Sequence, residues 1–218
     1  MNVKNEYRLF YTVGRLTPNG IDLLGTCFLI DRPGTYVTAS HVTGNNDKDL
    51  VICFTPIDVN GYQDTSSNSV NYRCVKIEKI DPIHDICILT DGTGFRSNIS
   101  ISGTDDVNVS DKLTIVGYPH CVRGRHVLTH QEATVGAKVL IASSGIKTKN
   151  IVINIQSRPG QSGSPVFRDS DSKLVAILIG SYAPKSNGGI SLGGIDPQTL
   201  HQTTHAVSAE YILKMIQL

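Results

Sequence analysis

An all-β fold that ends in one α-helix is what the sequence predicts, on three observations. Apolar runs of strand length recur along the 218 residues, they are rich in Val, Ile and Thr, and turn-forming Gly, Asn, Asp, Ser or Pro separates most of them. No helical pattern of about ten to fifteen residues falls between them, so alternating strand and helix units are excluded. The pattern suits a barrel or a sandwich.

In chain order, GTCFLID (25–31) and TYVTAS (35–40) flank a Pro-Gly turn, and LVICFTPI (50–57) runs into the polar loop 56–71. CVKIEKI (74–80) and DICILT (85–90) complete the first half. The stretch 90–103, TDGTGFRSNISISG, is the expected change of lobe, so that residues 1–97 and 98–218 form two units of about six strands each. KLTIVGY (112–118), NIVINIQ (150–156), GSPVF (163–167) and KLVAILIG (173–180) follow, and a second polar loop covers 181–204. The helix comes last, over 208–218: Ser208 is placed to cap it, Glu210 suits its first turn, and Ile212, Met215 and Ile216 share a face.

Composition narrows the function. Twenty Lys and Arg stand against 19 Asp and Glu, a net charge of +1, so no overall field draws the chain to nucleic acid or anionic lipid. The start lacks the apolar core of a secretory signal and no run reaches bilayer-spanning length, which makes a cytoplasmic location the expectation, with no membrane partner. Five cysteines (27, 53, 74, 87, 121) without CxxC spacing read as reduced and mostly buried thiols. His120, Cys121, His126 and His130 match no common zinc spacing, so no metal and no cofactor is expected.

The chemistry concentrates on GQSGSPVF (160–167), which is too rich in glycine for a helix interior and too interrupted for an ordinary strand. A nucleophilic Ser162 needs a base to take its proton and a group to fix that base's tautomer. His41, where YVTASHV passes from β-branched to small residues, is the candidate base. Asp85, opening the apolar run in DPIHDICIL, is the candidate acid, and Asp81 is weaker because Asp-Pro more often begins a turn. An α/β-hydrolase elbow fails, since Ser164 replaces its second glycine and Asp196 with His201 or His205 would have to come from a glycine-rich loop.

Taken together, GTCFLID with TASHV, then HDICIL, then RPGQSGSPVF resemble the three boxes of the chymotrypsin-fold serine peptidases in that family's order, and VGYPH resembles a second-lobe segment of its heat-shock and glutamyl-endopeptidase types. The resemblance implies two six-stranded antiparallel Greek-key β-barrels, and an endopeptidase that works through an acyl-enzyme on a protein or peptide substrate. It implies His41, Asp85 and Ser162 as triad and the backbone N–H groups of Gly160 and Ser162 as oxyanion hole. Gln156, Ser157 and Leu178 would then line the pocket for the residue before the cut, and Ile179, Gly180 and Ser181 would offer a strand edge to the substrate. An uncharged residue at that position is expected, because a buried charge would stay unpaired. Alternatives within the resemblance are a silent peptide-binding scaffold and a viral polyprotein-processing enzyme.

The pattern also departs from its relatives. Val42 and Arg158 stand where secreted digestive relatives carry cysteines, and Gln161 replaces the aspartate that receives a freed N-terminus in zymogen-activated ones. Activation by cleavage is therefore not expected, and ordering of 156–161 by a regulatory partner, a peptide in the edge groove or self-association is expected in its place.

Overall fold

A computed structural model describes residues 7–54, 60–66, 69–182 and 203–217. Seven strands build the first lobe: β1 (Phe10–Thr17), β2 (Gly20–Leu29), β3 (Thr35–Ala39), β4 (Leu50–Phe54), β5 (Asn71–Cys74), β6 (Lys76–Asp81) and β7 (Ile86–Thr90). They lie in the order β5-β4-β1-β2-β3-β7-β6. Both outer positions are filled by one segment, interrupted only at Val75, whose N–H donates to Leu50 O at 3.0 Å. The sheet thus curls into a barrel of six staves, one of them broken, with no long unpaired edge.

The second lobe is a closed barrel of β8 (Lys112–Gly117), β9 (Thr129–Ser143), β10 (Ile146–Ile153), β11 (Pro165–Arg168), β12 (Leu174–Tyr182) and β13 (Thr203–Ser208), in the order β10-β13-β12-β11-β8-β9. All named strand pairs are antiparallel. The two expected barrels are present, and the chain crosses between them over 91–103. Ser97 N–H still donates to Ile30 O (3.0 Å), whereas Ser102 N–H already donates to Leu174 O (2.8 Å).

One apolar cluster joins the lobes, with Phe10, Phe28 and Ile88 on one side and Tyr118, Phe167 and Ile177 on the other. Phe10 and Phe167 meet edge to face at 6.2 Å, and the buried Tyr118 hydroxyl donates to Phe10 O at 3.1 Å. The terminal helix, α2 (Glu210–Ile216), is shorter than 208–218, because Ser208 belongs to β13 and its hydroxyl accepts Thr104 N–H (3.0 Å) instead of capping. Ile212 and Met215 are buried as the periodicity predicts, and Tyr211 stacks on His84 at 3.6 Å. The helix is thereby seated behind the loop that carries Asp85. No helix among the described residues is long and apolar enough to cross a membrane.

Candidate active site

His41 lies in α1 (Ser40–Thr43), a single helical turn that follows β3 directly and ends on Gly44 in the left-handed region (φ +61°). The imidazole is carried on this turn and not on the strand itself. Asp85 immediately precedes β7, also with positive φ (+56°), and the β3–β7 pairing Ala39↔Ile86 sets the two beside each other. His41 Nδ1 lies 2.6 Å from Asp85 Oδ2, and Asp85 Oδ1 accepts the His41 N–H (2.9 Å) and the Ser40 hydroxyl (2.7 Å). Burial raises the carboxyl's pKa, but the hydrogen bonds from His41 and Ser40 outweigh it and leave the pKa below its ordinary value. An ionised carboxylate only accepts, so Nδ1 carries the proton and Nε2 is left as the base. The imidazole is 48 % exposed against 26 % for the carboxylate, so the ring faces outward over a shielded acid. Asp81 serves another histidine, with its Oδ2 2.6 Å from His84 Nδ1.

Glycines bring the Ser162 loop against the strands that carry this dyad. Gly163 has φ +86°, and a Cβ there would run into Thr26 O and Thr38 Oγ1 and come within 3.1 Å of Ala39 N, two residues before His41. On the facing strand, a Cβ on Gly25 would lie 2.8 Å from Val42 Cγ2 and 3.0 Å from Ser162 O. The serine loop therefore packs flat on β2 and β3 beside α1. The Ser162 hydroxyl has no hydrogen-bond partner among the described residues.

Each carbonyl from Arg158 to Ser162 is occupied. Arg158 O accepts Gln161 N–H (3.0 Å), Pro159 O accepts His120 N–H (2.6 Å), and Gln161 O accepts Ser164 N–H (3.0 Å). Gly160 O accepts the Thr26 hydroxyl (2.9 Å), and Ser162 O accepts Thr26 N–H (2.9 Å). A trans peptide points its N–H opposite its C=O, so pinning Pro159 O and Gln161 O fixes the N–H groups of Gly160 and Ser162. Neither N–H has an acceptor among the described residues. The result is a pair of free, preset donors flanking a serine.

Gln161 is buried, with its Oε1 accepting Arg158 N–H (2.7 Å) and its Nε2 donating to Gln131 Oε1 of β9 (2.8 Å). The segment that a freed N-terminus orders in other proteins is here tied by a side-chain amide. Sequence reasoning missed Gln131, Ser40 and Thr26 alike, because each acts on a partner at least 30 residues away.

The family comparison decides the assignment. A family model described as the trypsin-like peptidase domain matches residues 25–177, from the glycine before Thr26 to β12. The chain belongs to the trypsin-like peptidase domain family. Solved structures of similar fold include the apo protease domain of MamO from Magnetospirillum magneticum (13 % identity, 95 % of each chain, TM-score 0.66). Deg5 is similar over 97 % of this chain and 88 % of its own (14 %, 0.64). The HtrA-type protease AlgW with a tripeptide matches 96 % of this chain, which spans 59 % of AlgW (16 %, 0.63). At these identities the likeness is one of fold. No curated protein matches the sequence.

In this peptidase domain the remaining site expectations fall as follows. Gln156 is exposed and accepts a hydrogen bond from Arg158 Nη1 (2.8 Å), and Ser157 N–H donates to the buried Thr204 hydroxyl (2.9 Å). Leu178 is fully buried in the second barrel, with its N–H and C=O bonded to Ser164 and Gly163. β12 pairs with β11 only as far as Ile177↔Pro165, whereas its other edge continues along β13 through Gly180↔His205 and Ser181↔Thr204. Residues 179–181 therefore keep one edge unpaired by any named strand. Most of loop 181–204, including Asp196 and His201, lies outside the described residues.

Two residues of the histidine-rich stretch pack beside the serine loop and Tyr118. Cys121 Sγ lies 3.7 Å from Gly160 O, and the His126 ring stacks on Tyr118 at 4.6 Å. Among the described residues no group of three His, Cys, Asp or Glu side chains is placed to hold a metal ion. Four of the five cysteines are buried, and Cys74 is exposed. Burial pushes the His126 pKa down to about 4, outweighing a hydrogen bond to the Cys53 backbone. The unfolded imidazole titrates near 6.5, so between about pH 6.5 and 4 the unfolded chain gains a proton that the folded one refuses. Stability is full above this window and is expected to fall by at most about 3 kcal/mol as pH drops through it. Urea denaturation at pH 7 and pH 4.5 should show that loss in the parent and a smaller one in His126→Gln; equal losses would refute the assignment.

Proposed function

We propose that this trypsin-like peptidase domain is an active serine endopeptidase, with Ser162 as acyl nucleophile, His41 as general base and then acid, and Asp85 as its orienting partner. The observation that carries the reading is the conjunction of a carboxylate-bound imidazole with two unoccupied N–H donors flanking a serine. When Ser162 Oγ attacks the substrate carbonyl, His41 Nε2 takes its proton, the carbonyl oxygen gains negative charge, and the Gly160 and Ser162 N–H groups stabilise that charge. The same proton is then given to the leaving amine, and water repeats the sequence on the acyl-enzyme. Substrate would add as a strand along 179–181.

The occupied carbonyls favour this over a silent scaffold, since a surface that only held peptides would have no use for two unpaired amide donors aimed beside a serine. They also favour a hole formed without an activating partner. Treatment with a fluorophosphonate followed by mass mapping is expected to place one label on Ser162. Labelling that depends on an added partner would restore the need for one, and labelling elsewhere would refute the reading. On a peptide library, uncharged residues should dominate before the cut. A profile rich in Asp or Glu would instead mean that the Arg158 guanidinium, bonded to Gln156, turns into the pocket.

A further inference from the structure

We infer that Thr26 is a positioning residue for the oxyanion hole, acting from the opposite lobe through its hydroxyl; the inference rests on the serine-peptidase reading above. Thr26 sits on β2, fully buried. Three of its four polar contacts cross the seam between the barrels. The hydroxyl donates to Gly160 O (2.9 Å) and accepts Tyr118 N–H (3.1 Å), while the backbone N–H donates to Ser162 O (2.9 Å) and the carbonyl accepts the Thr38 hydroxyl (2.7 Å). One residue thus holds the carbonyls of both amino acids whose N–H groups form the hole.

The hydroxyl is the part a side-chain change can remove. Gly160 lies at φ +93°, where glycine's freedom lets the peptide on either side rotate. On its N-terminal side the Pro159 carbonyl is held by His120 N–H; on its C-terminal side the Gly160 carbonyl is held by the Thr26 hydroxyl and, more weakly, by Cys121 Sγ at 3.7 Å. Without the second hold the Gly160–Gln161 peptide keeps only its Gln161 N–H bond to Arg158 O (3.0 Å) and the weak Cys121 contact, so the Gly160 Cα between the two peptides shifts and carries its N–H off aim although Pro159 O stays held. Because the same hydroxyl accepts Tyr118 N–H, it also sets the height of the serine loop over the second barrel's first strand. The hold acts when the carbonyl oxygen becomes an anion, so the loss belongs to turnover and not to ground-state binding.

Thr26→Val keeps shape and removes the hydroxyl, and Thr26→Ser keeps the hydroxyl and removes a methyl group. With an activated p-nitrophenyl ester, Thr26→Val is expected to lower kcat by about tenfold to a hundredfold with KM within about twofold, as for a misplacement of around 1 Å. Thr26→Ser should stay within about threefold of the parent. Fluorophosphonate labelling should slow in the same proportion while its end point remains one per chain, and near-UV circular dichroism checks that each variant is folded. If Thr26→Val does not fold, Thr26→Ala is compared with Thr26→Ser in its place. Unchanged kcat, a rise in KM alone, or an equal loss in Thr26→Ser would overturn the role of Thr26 and leave the peptidase reading standing. A parent that neither turns over ester nor labels would overturn both.

Discussion

Ser162→Ala and His41→Ala are each expected to remove about six orders of magnitude of turnover, and Asp85→Asn about four, with folded protein in all three cases. The grading follows from the geometry. In the proposed mechanism Ser162 supplies the bond-forming atom and His41 its base, so no residue replaces either. Asp85 never touches substrate; its Oδ2 holds the proton of His41 on Nδ1 at 2.6 Å, and Oδ1 is held in turn by Ser40 and the His41 N–H. An asparagine of the same shape can turn its amide toward Nδ1 and donate, which moves the imidazole proton to Nε2 and leaves no base facing Ser162. Combining Asp85→Asn with Ser162→Ala should cost no more than Ser162→Ala alone, because the groups act as one unit. Steady-state ester hydrolysis, with labelling as a count of intact sites, reads all of these. A loss of only a few-fold in Asp85→Asn would transfer the orienting role to another group.

Gly163→Ala is the second change of large effect, expected to destabilise the protein by at least about 3 kcal/mol and to lower turnover by about a hundredfold or more in what remains folded. Two costs combine there. Its φ of +86° disfavours any side chain, and the added methyl group meets backbone at Thr26 O and Ala39 N as well as Thr38 Oγ1, none of them the free end of a flexible chain. Gly124 provides the comparison, for it has φ +81° and nothing within 4 Å of a Cβ. Gly124→Ala should therefore show the conformational cost alone, about 1 kcal/mol. Equal urea midpoints for the two variants would mean that the loop moves aside without penalty, and that the close packing of Ser162 on the first lobe is not what positions it.

The residues proposed to bear chemistry stood out in the sequence because their types are scarce in such surroundings: a histidine after small residues, an aspartate opening an apolar run, a serine among glycines. The residues that aim them did not, since Thr26 and Gln131 look like ordinary strand positions until the fold brings their partners across. Four strands were also missed, the shortest being the polar and mostly exposed β5. β1 carries Gly14 and Arg15, whose guanidinium folds back onto the carbonyls of Thr43 and Asn46. β13, TTHAVS, has little apolar character, yet Thr204 and Ser208 are fully buried because Ile155 O and Thr104 N–H satisfy their hydroxyls. β9 mixes seven apolar residues with eight others, Gly136 among them, over 15 positions and is paired on both sides, by β8 and β10. Each is made a strand by its neighbours more than by its own composition.

The bond from Thr26 to Gly160 spans 134 residues, and β13, which seals the second barrel, begins only at Thr203. During synthesis the serine loop therefore emerges before β13, and the second barrel stays open beneath it until that strand has paired with β10 and β12. Pairings this far apart in sequence form late and slowly. The order in which the chain is made would thus itself restrain the proposed peptidase, because the bond from Thr26 to Gly160 and the closure by β13 both wait on segments made far apart in time.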